Sequence, residues 1–390
     1  MQATTILLLV GLCGATPTAA TPDEAPVLTG HIQLTSRDQF VKAGEAYFNA
    51  DATWIIFQAV PVPDQDAEPD PFYAMYVAKL TRDAAGAITG IEPPIRVSPE
   101  GSANTCGWFH PSRPDVVIFG STLSRPADEQ RSGFNISRDR YTWMFPKEME
   151  IVQARVPALV GRASGDEGIE LSTVFARDEY DAECSFSPDA RQILYAGVRP
   201  DRADRADADL WVFDVERGTH YPLITADGYD GGPFFSPDAS WIVYRSDRRG
   251  DNHLQLFMAE LSHADDIATG VRREIPLTDN PHVNWCPFWH PSGSFVVYAT
   301  SELGHMNYEV FAIETRPDLP VDARRRVRVT NAPGADVLPA FSPDGSLMMW
   351  TAQRGPLAQG ETRPSSQLWI ARFDPSSLFP AGDTLLPVGE

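Results

Sequence analysis

The sequence is poor in positive charge and lacks both a long apolar run and a serine-hydrolase motif. Lysine and arginine total 32 against 53 acidic residues, which gives a formal net charge of −21. Such a surface repels nucleic acid and anionic membranes, so neither is an expected partner. No apolar segment is long enough to span a bilayer as a helix. Because no Gly-x-Ser-x-Gly sequence occurs, a prolyl-peptidase arrangement is also excluded.

The first twenty residues differ from the rest of the chain. An apolar run over residues 6–15 and the small residues 18–20 are typical of a secretory signal peptide spanning residues 1–20. The usual positive charge before the run is missing. Cys13 suggests a lipoprotein as the alternative, but the bulky Leu12 stands where a small residue is expected. We therefore predict a periplasmic or secreted protein, with soluble export favoured over lipid attachment.

A short phrase recurs along the remaining chain and predicts its architecture. Phe-Ser-Pro-Asp occurs intact three times, and three weaker copies complete a set of six that begin at Phe48, Phe109, Phe186, Phe235, Trp289 and Phe341. Runs of branched and aromatic residues follow each good copy, separated by Pro, Gly and Asp turn residues, as in Gln192–Ala196 and Leu210–Asp214. Four short strands in a unit of roughly 40 to 50 residues are the signature of a β-propeller blade.

The two ends of the chain predict how the ring closes. The sixth unit has no convincing fourth strand, while an orphan strand at His31–Thr35 precedes the first unit. If that strand pairs with the last blade, neither the strand nor the blade keeps an unpaired edge. We predict an all-β fold, a six-bladed β-propeller of four-stranded antiparallel blades closed by an N-terminal strand in the last blade. The single domain spans residues 28–380, and we expect it to be a monomer.

The repeat resembles that of the TolB-like propeller family, whose consensus is Asp-x-x-Pro-x-Phe-Ser-Pro-Asp-Gly. Asp336–Gly345 matches this consensus closely, and Ser246–Gly250 matches the Ser-Asp-Arg turn of the family. The resemblance covers about residues 30–375 and implies the fold. It implies little about activity, because the same repeats occur in translocation proteins and in peptidase propellers. TolB itself has an α/β domain before its propeller, and the partner contacts of that domain are not carried over here.

Alignment of the six units places polar residues in two columns of the first strand, which lines the channel of a propeller. Five units have Asn or Asp in the first column, at Asn104, Asp181, Asp230, Asn284 and Asp336. Two positions later, and therefore on the same face of a regular strand, stand Glu45, Cys106, Glu183, Gly232, Cys286 and Leu338. We predict a ligand-binding ring at the channel mouth, with Glu45 and Glu183 as its better candidates. Capping of the preceding turn is the alternative role for Asn and Asp.

We expect the predicted channel to bind a ligand, and we expect no dedicated cofactor. Oxygen atoms that converge on an axis can hold a divalent cation or a basic side chain. Histidines are weaker metal-ligand candidates, because none is spaced as a ligand pair on one strand; they are His110, His282, His290 and His305. A disulfide between Cys106 and Cys184 in neighbouring blades is conceivable, and small buried thiols are the alternative.

The second unit is longer than the others because it contains an insertion over residues 124–147. Long loops inside compact domains tend to be functional or disordered, and the large apolar residues Phe134, Tyr141, Trp143 and Phe145 argue against disorder. We predict that the insertion forms a lid or a partner-binding loop.

Two function classes follow from these observations. The first is a non-catalytic binding or scaffold module of the cell envelope, which takes a protein or peptide partner or a small saccharide ligand. The second is a carbohydrate-active propeller enzyme, a metal-assisted polysaccharide lyase or hydrolase that uses the channel acids and histidines. The missing catalytic constellation favours the first class.

Overall fold

The six repeats form a ring of β-sheets, and the predicted all-β six-bladed propeller is confirmed. The computed structural model describes residues 24–64, 67–127, 133–137, 140–144, 146–162, 168–202 and 207–379. The predicted signal peptide, residues 1–20, lies outside these ranges. Within them, no helix is both long and apolar enough to cross a membrane.

The first half of the chain contributes the N-terminal strand and blades 1 and 2. The N-terminal strand is β1 (Leu28–Gln33). Blade 1 contains β2 (Phe40–Phe48), β3 (Trp54–Pro61), β4 (Ala74–Arg82), β5 (Ile88–Ile91) and β6 (Ile95–Arg96). Blade 2 and its insertion contain β7 (Asn104–Phe109), β8 (Val116–Ser121), the hairpin strands β9 (Gly133–Ser137) and β10 (Arg140–Met144), β11 (Glu150–Arg155) and β12 (Glu170–Phe175).

The second half contributes blades 3 to 6. Blades 3 and 4 contain β13 (Asp181–Phe186), β14 (Gln192–Val198), β15 (Ala208–Asp214), β16 (Thr219–Ile224), β17 (Asp230–Phe235), β18 (Trp241–Ser246), β19 (Gln255–Ala264) and β20 (Ile267–Pro276). Blades 5 and 6 contain β21 (Asn284–Trp289), β22 (Phe295–Thr300), β23 (Glu309–Glu314), β24 (Arg326–Arg328), β25 (Asp336–Phe341), β26 (Leu347–Ala352) and β27 (Gln367–Phe373). Short 3-10 segments occupy Pro157–Val160, Pro200–Arg202, Val321–Ala323 and Pro375–Ser377.

Each Phe-Ser-Pro-Asp copy ends the innermost strand of a blade and shapes the turn to the second strand. In blade 3 the Ser187 hydroxyl donates to Asp189 Oδ1 at 2.6 Å and accepts the backbone N–H of Gln192 at 3.0 Å. Ser236 and Ser342 make the same pair of bonds in blades 4 and 6. The motif therefore satisfies the polar groups of a tight turn with its own side chains. We call this end of the ring the turn face and the opposite end the loop face.

The second strand of every blade carries a large aromatic side chain at an equivalent position. These side chains are fully buried and are Phe57, Phe119, Tyr195, Tyr244, Tyr298 and Trp350. Each aromatic side chain removes roughly 150 to 250 Å² of surface from water. Their regular placement explains why one repeat can pack against the next around the whole ring.

Closure of the ring depends on the N-terminal strand and a buried ion cluster beside it. β1 pairs antiparallel with β27 as predicted, although the strand begins at Leu28 rather than at His31. Arg354 bonds Asp336 of the innermost strand at 2.9 Å and Glu24, four residues before β1, at 3.1 Å. His31 and Arg354 hold the pKa of Glu24 at about 2, although burial alone would raise it. The guanidinium therefore joins the first described residue of the chain to its last blade.

We expect Arg354→Met to destabilise the propeller by about 3 to 5 kcal/mol, because it leaves two buried carboxylates without their cation. Urea unfolding followed by tryptophan fluorescence measures this free energy. Arg316→Met is the matched control, since Arg316 forms an ion pair with Asp318, which is exposed. The control should leave the unfolding midpoint unchanged. Equal midpoints for the wild type and Arg354→Met would contradict the importance of this cluster.

Candidate functional site

All six innermost strands contain a left-handed residue at the same position. The positive φ values fall between 47° and 57°, at Glu45, Cys106, Glu183, Gly232, Cys286 and Leu338. Pairing with the second strand shifts register at each of these sites, so every innermost strand has a β-bulge there. Five of the six are not glycine, and such a conformation costs roughly 1 to 3 kcal/mol at each of them. The bulge places this column of residues around the propeller axis.

The prediction that the Asn and Asp column shares this face is wrong, because the bulge interrupts the two-residue period. The five side chains of the column are almost fully buried, and none of them lines either axial cavity. Arg177, Arg248 and Arg354 neutralise the three aspartates, which are Asp181, Asp230 and Asp336. Burial nevertheless raises the pKa of Asp181 to about 6 and that of Asp230 to about 7.

The two asparagines of that column bond to turn and loop groups. Asn104 donates to the Tyr73 carbonyl at 2.9 Å and accepts from the Ser121 hydroxyl at 2.7 Å. Asn284 donates to Gln255 Oε1 at 3.1 Å. Both also bond the turn before their strand, as the capping alternative expects: Asn104 donates to the Ser102 carbonyl at 2.9 Å and Asn284 to the His282 carbonyl at 3.1 Å. Ligand binding by the five Asn and Asp residues stays a prediction.

The Glu183 carboxylate accepts three hydrogen bonds near the axis. Its carboxylate accepts from the Tyr229 hydroxyl at 2.7 Å, from Arg245 at 3.2 Å and from the backbone N–H of Gly232. Arg245 also donates to the Tyr229 oxygen at 2.6 Å. The buried negative charge of Glu183 is therefore matched by one buried positive charge.

Glu45 lies across the axis from this pair and has no cation bonded to it among the described residues. Its carboxyl accepts from the Cys106 thiol at 2.9 Å and from the Tyr47 hydroxyl at 3.3 Å. Burial raises the pKa of Glu45, and the neighbouring Glu183 raises it further. We call Glu45, Cys106, Glu183, Arg245 and Cys286 the axial layer; they surround a small cavity of about 20 Å³. That volume admits no ligand larger than water.

Aromatic rings close the channel on the turn-face side of the axial layer. Tyr47, Trp108, Phe234 and Phe288 come from blades 1, 2, 4 and 5, and we call them the aromatic plug. The rings of Tyr47 and Phe234 meet across the axis with centroids 5.6 Å apart. A ligand therefore cannot pass through the ring, and each end of the channel is a separate pocket.

The opening on the opposite side is a cavity of about 260 Å³, which we call the loop-face cavity. Its lining includes Gln58, Tyr73, Trp285, His305 and Tyr308. Leu338 lines both this cavity and the small axial cavity, so Glu45 lies just below the floor. Thr351, a further lining residue, accepts the backbone N–H of Glu45 at 3.0 Å.

The histidine candidates divide between the two faces. His110 Nδ1 accepts the backbone N–H of Arg113 at 3.0 Å, and His290 Nδ1 accepts that of Ser292 at 3.2 Å. Both rings thus replace the serine of the turn motif, and burial lowers the pKa of each to about 4. His305 lines the loop-face cavity, and its pKa is lowered in part by the nearby His282. Within the described ranges, no three His, Cys, Asp or Glu side chains are grouped closely enough to hold a metal ion.

The three cysteines of the propeller are free thiols. The conceivable Cys106–Cys184 disulfide is not formed; the Cys184 thiol instead approaches the Cys106 carbonyl at 3.7 Å. Burial raises the pKa of both thiols. These groups fit the alternative interpretation of small buried residues.

The predicted insertion contains a β-hairpin, since β9 and β10 pair with each other and form a separate two-stranded sheet. The insertion connects the second and third strands of blade 2, so it starts and ends on the loop face. Phe145 and the side chains of Phe134, Tyr141 and Trp143 lie outside the described part of the chain. Their role in a lid or partner contact stays a prediction.

Sequence reasoning missed Arg245, although a signal for it was present. Its column in the second strand contains the small residues Ala196 and Ala299 in blades 3 and 5. The facing bulge residue of the same blade is Gly232, where an added Cβ would lie 1.9 Å from Arg245 Nη1. A lone arginine in one column and a lone glycine in the other together indicate a side chain directed at the axis.

Comparison with known proteins supports the fold. No family profile matches the chain. An uncharacterised protein of Agrobacterium fabrum is 28% identical over 156 residues, which cover 40% of this chain and 44% of that protein. The chain therefore matches less than half the length of this curated relative.

Two solved propellers are also similar in structure. TolB from Acinetobacter baumannii has a TM-score of 0.51 and 14% identity over 83% of this chain and 64% of that chain. Oligogalacturonate lyase from Vibrio parahaemolyticus has a TM-score of 0.45 and 12% identity over 93% and 97%. At these identities the likeness concerns the fold alone.

We expect Glu45→Gln to be more stable than the wild type at pH 8 and equally stable below about pH 4. The folded pKa of Glu45 is raised, so its contribution to stability is complete at low pH and is lost as pH rises through that value. Glutamine keeps the oxygen that accepts from Cys106 and never ionises. Thermal unfolding of both proteins across this pH range measures the difference. A pH-independent difference would contradict the inferred ionisation cost.

Proposed function

We propose that this chain is a non-catalytic binding propeller of the cell envelope and that its loop face contacts a protein partner. The supporting observation is the distribution of exposed large apolar side chains. Seven such residues occur in the described ranges, and five belong to connections between second and third strands on the loop face: Val62, Leu123, Leu303, Met306 and Leu357. Exposed apolar residues that gather on one face are typical of a protein-interaction surface.

The two faces differ in how their loops are built. Turn-face connections between first and second strands are short and internally bonded, as in the three intact motifs. Loop-face connections are longer, and the hairpin of blade 2 belongs to them. Met306 lines the loop-face cavity, so one of the exposed apolar side chains borders the cavity directly. A partner that covers the apolar side chains would also cover the cavity.

The envelope location is part of the same proposal. It rests on the apolar N-terminal segment and on the structural similarity to TolB. The alternative of a metal-assisted lyase receives less support, because His110 and His290 are engaged in turns. The loop-face cavity is also smaller than the roughly 300 to 1,000 Å³ of typical small-molecule sites.

We expect the double substitution Leu303→Asp and Met306→Asp to lower partner binding at least about tenfold, because it places charges in an apolar contact. The wild type and the variant would each be immobilised, and captured envelope proteins would be quantified by mass spectrometry. Val160→Asp with Val215→Asp is the matched control, since both valines are exposed on the turn face. Capture of the same proteins in equal amounts by wild type and loop-face variant would contradict the proposal.

We also expect replacement of residues 128–145 by a short Gly-Ser linker to preserve the fold and to weaken partner capture. Among the described residues β9 and β10 pair only with each other, whereas β8 and β11 pair directly, so the hydrogen bonds between the strands of blade 2 are kept. Circular dichroism and the urea midpoint test the fold, and the capture experiment tests the surface. Unchanged capture would exclude the insertion from the interface, and loss of the fold would show that the hairpin supports blade 2.

A further inference from the structure

The loop-face cavity has the size of one side chain. Its volume is about 260 Å³, and its floor is closed by Leu338 and the axial layer. Beyond that floor the aromatic plug blocks the axis. Since typical sites for drug-sized ligands occupy roughly 300 to 1,000 Å³, this blind cavity suits a single inserted side chain better than an oligosaccharide.

Gln58 presents an unsatisfied acceptor to the cavity. It lies in β3 opposite Gly44 and is 8% exposed. Its Oε1 atom has no hydrogen-bond partner among the described residues. A buried carbonyl left unpaired costs roughly 1 to 3 kcal/mol, so a ligand that donates a hydrogen bond here would recover that cost.

The charge below the cavity favours a cation. Arg245 bonds Glu183 at 3.2 Å, whereas the Glu45 carboxyl accepts hydrogen bonds from Cys106 and Tyr47. Burial and the nearby His253 and His282 lower the pKa of His305, so that ring adds no positive charge at neutral pH. The whole chain carries a net charge of −21, which attracts basic groups over longer distances.

The cavity walls also favour a cationic ligand, because the faces of aromatic rings attract cations. Tyr73, Trp285 and Tyr308 all line the cavity. Two cations of the protein already lie over two of these rings: Lys42 Nζ is 4.1 Å from the Tyr73 centroid, and Arg245 Cζ is 5.9 Å from that of Trp285. The walls therefore accept positively charged groups in the protein itself.

From these observations we propose that the loop-face cavity binds one lysine or arginine side chain of the protein partner. The cationic head lies above Glu45, donates a hydrogen bond to Gln58 Oε1 and contacts the aromatic walls. This inference rests on the proposed function, and it adds the chemistry that the partner must supply. The apolar residues around the cavity then hold the segment that carries the basic side chain.

The test uses four blocked tripeptides, acetyl-Gly-X-Gly-amide with X as Lys, Arg, Gln or Glu, titrated into the full chain at low salt and followed by NMR. We expect saturable binding of the Lys and Arg peptides and none of the Gln or Glu peptides. Glu45→Gln should weaken binding roughly thirtyfold or more, since it removes the buried counter-charge. Gln58→Met should weaken it roughly fivefold by removing the acceptor.

Glu302→Gln provides the matched control. Glu302 lies on the loop face and pairs with Arg326 at 2.6 Å, but it is not part of the cavity lining. Its substitution should leave peptide binding unchanged. Absence of saturable Lys or Arg binding, equal binding of the Gln peptide, or equal affinity in Glu45→Gln and wild type would each overturn the proposal.

The same variants separate this inference from the proposed function. If Leu303→Asp with Met306→Asp abolishes partner capture while Glu45→Gln and Gln58→Met do not, the loop face is the interface and the cation site is wrong. If the Lys peptide binds and responds to Glu45→Gln while no partner depends on the loop face, the cation site stands and the interface is wrong.

Discussion

The left-handed bulge in each innermost strand is the constraint on which the rest of this structure depends. A regular strand would send every second side chain towards the channel and would place the Asn and Asp column beside the glutamates. The bulge separates the two sets. It buries the aspartates against arginines within the blades and directs Glu45, Glu183 and their column neighbours to the axis. The residues that follow, Tyr47 and Phe234 among them, then meet across the axis and close it.

Charge balance at the axis follows from where the bulge places carboxylates. Two of the six units bring a glutamate to the axis, while blade 4 has Gly232 at the bulge and Arg245 on the facing strand. Glycine at position 232 and arginine at position 245 depend on each other, since any Cβ at Gly232 would collide with Arg245. Because burial and the neighbouring Glu183 raise the pKa of Glu45 despite the attraction of Arg245, Glu45 ionises only at a cost. The Glu45 carboxyl thus distinguishes blade 1 chemically from the other blades of a repetitive ring.

The sequence predicted the fold more completely than the site. Phe-Ser-Pro-Asp ends a strand and closes a turn by local bonds, so Ser187 and its equivalents mark strand boundaries without knowledge of tertiary contacts. The missing fourth strand of unit six and the orphan strand near His31 similarly predicted closure. The alignment also placed the six bulge residues in one column correctly. It did not predict that this column and the Asn and Asp column lie on different faces, because a residue such as Cys106 gives no local sign that its φ is positive. Arg245 escaped notice because its role depends on a pairing across two strands.

The two faces of the propeller differ in construction, and this difference supports the proposed recognition at the loop face. Units 3, 4 and 6 use the turn-face connection to complete the Ser and Asp bonds that end the innermost strand. In the other three units Asn49, His110 and His290 accept backbone N–H groups of the same turn, so all six turns are short and similar. Loop-face connections carry no such requirement, so length, exposed apolar residues and the blade 2 hairpin accumulate there. Of the described residues, Leu338 alone lines both the axial cavity and the loop-face cavity, whereas the aromatic plug lies between the axial layer and the turn face. In the proposed complex, a partner bound at the loop face would therefore lie closer to Glu45 than one bound at the turn face.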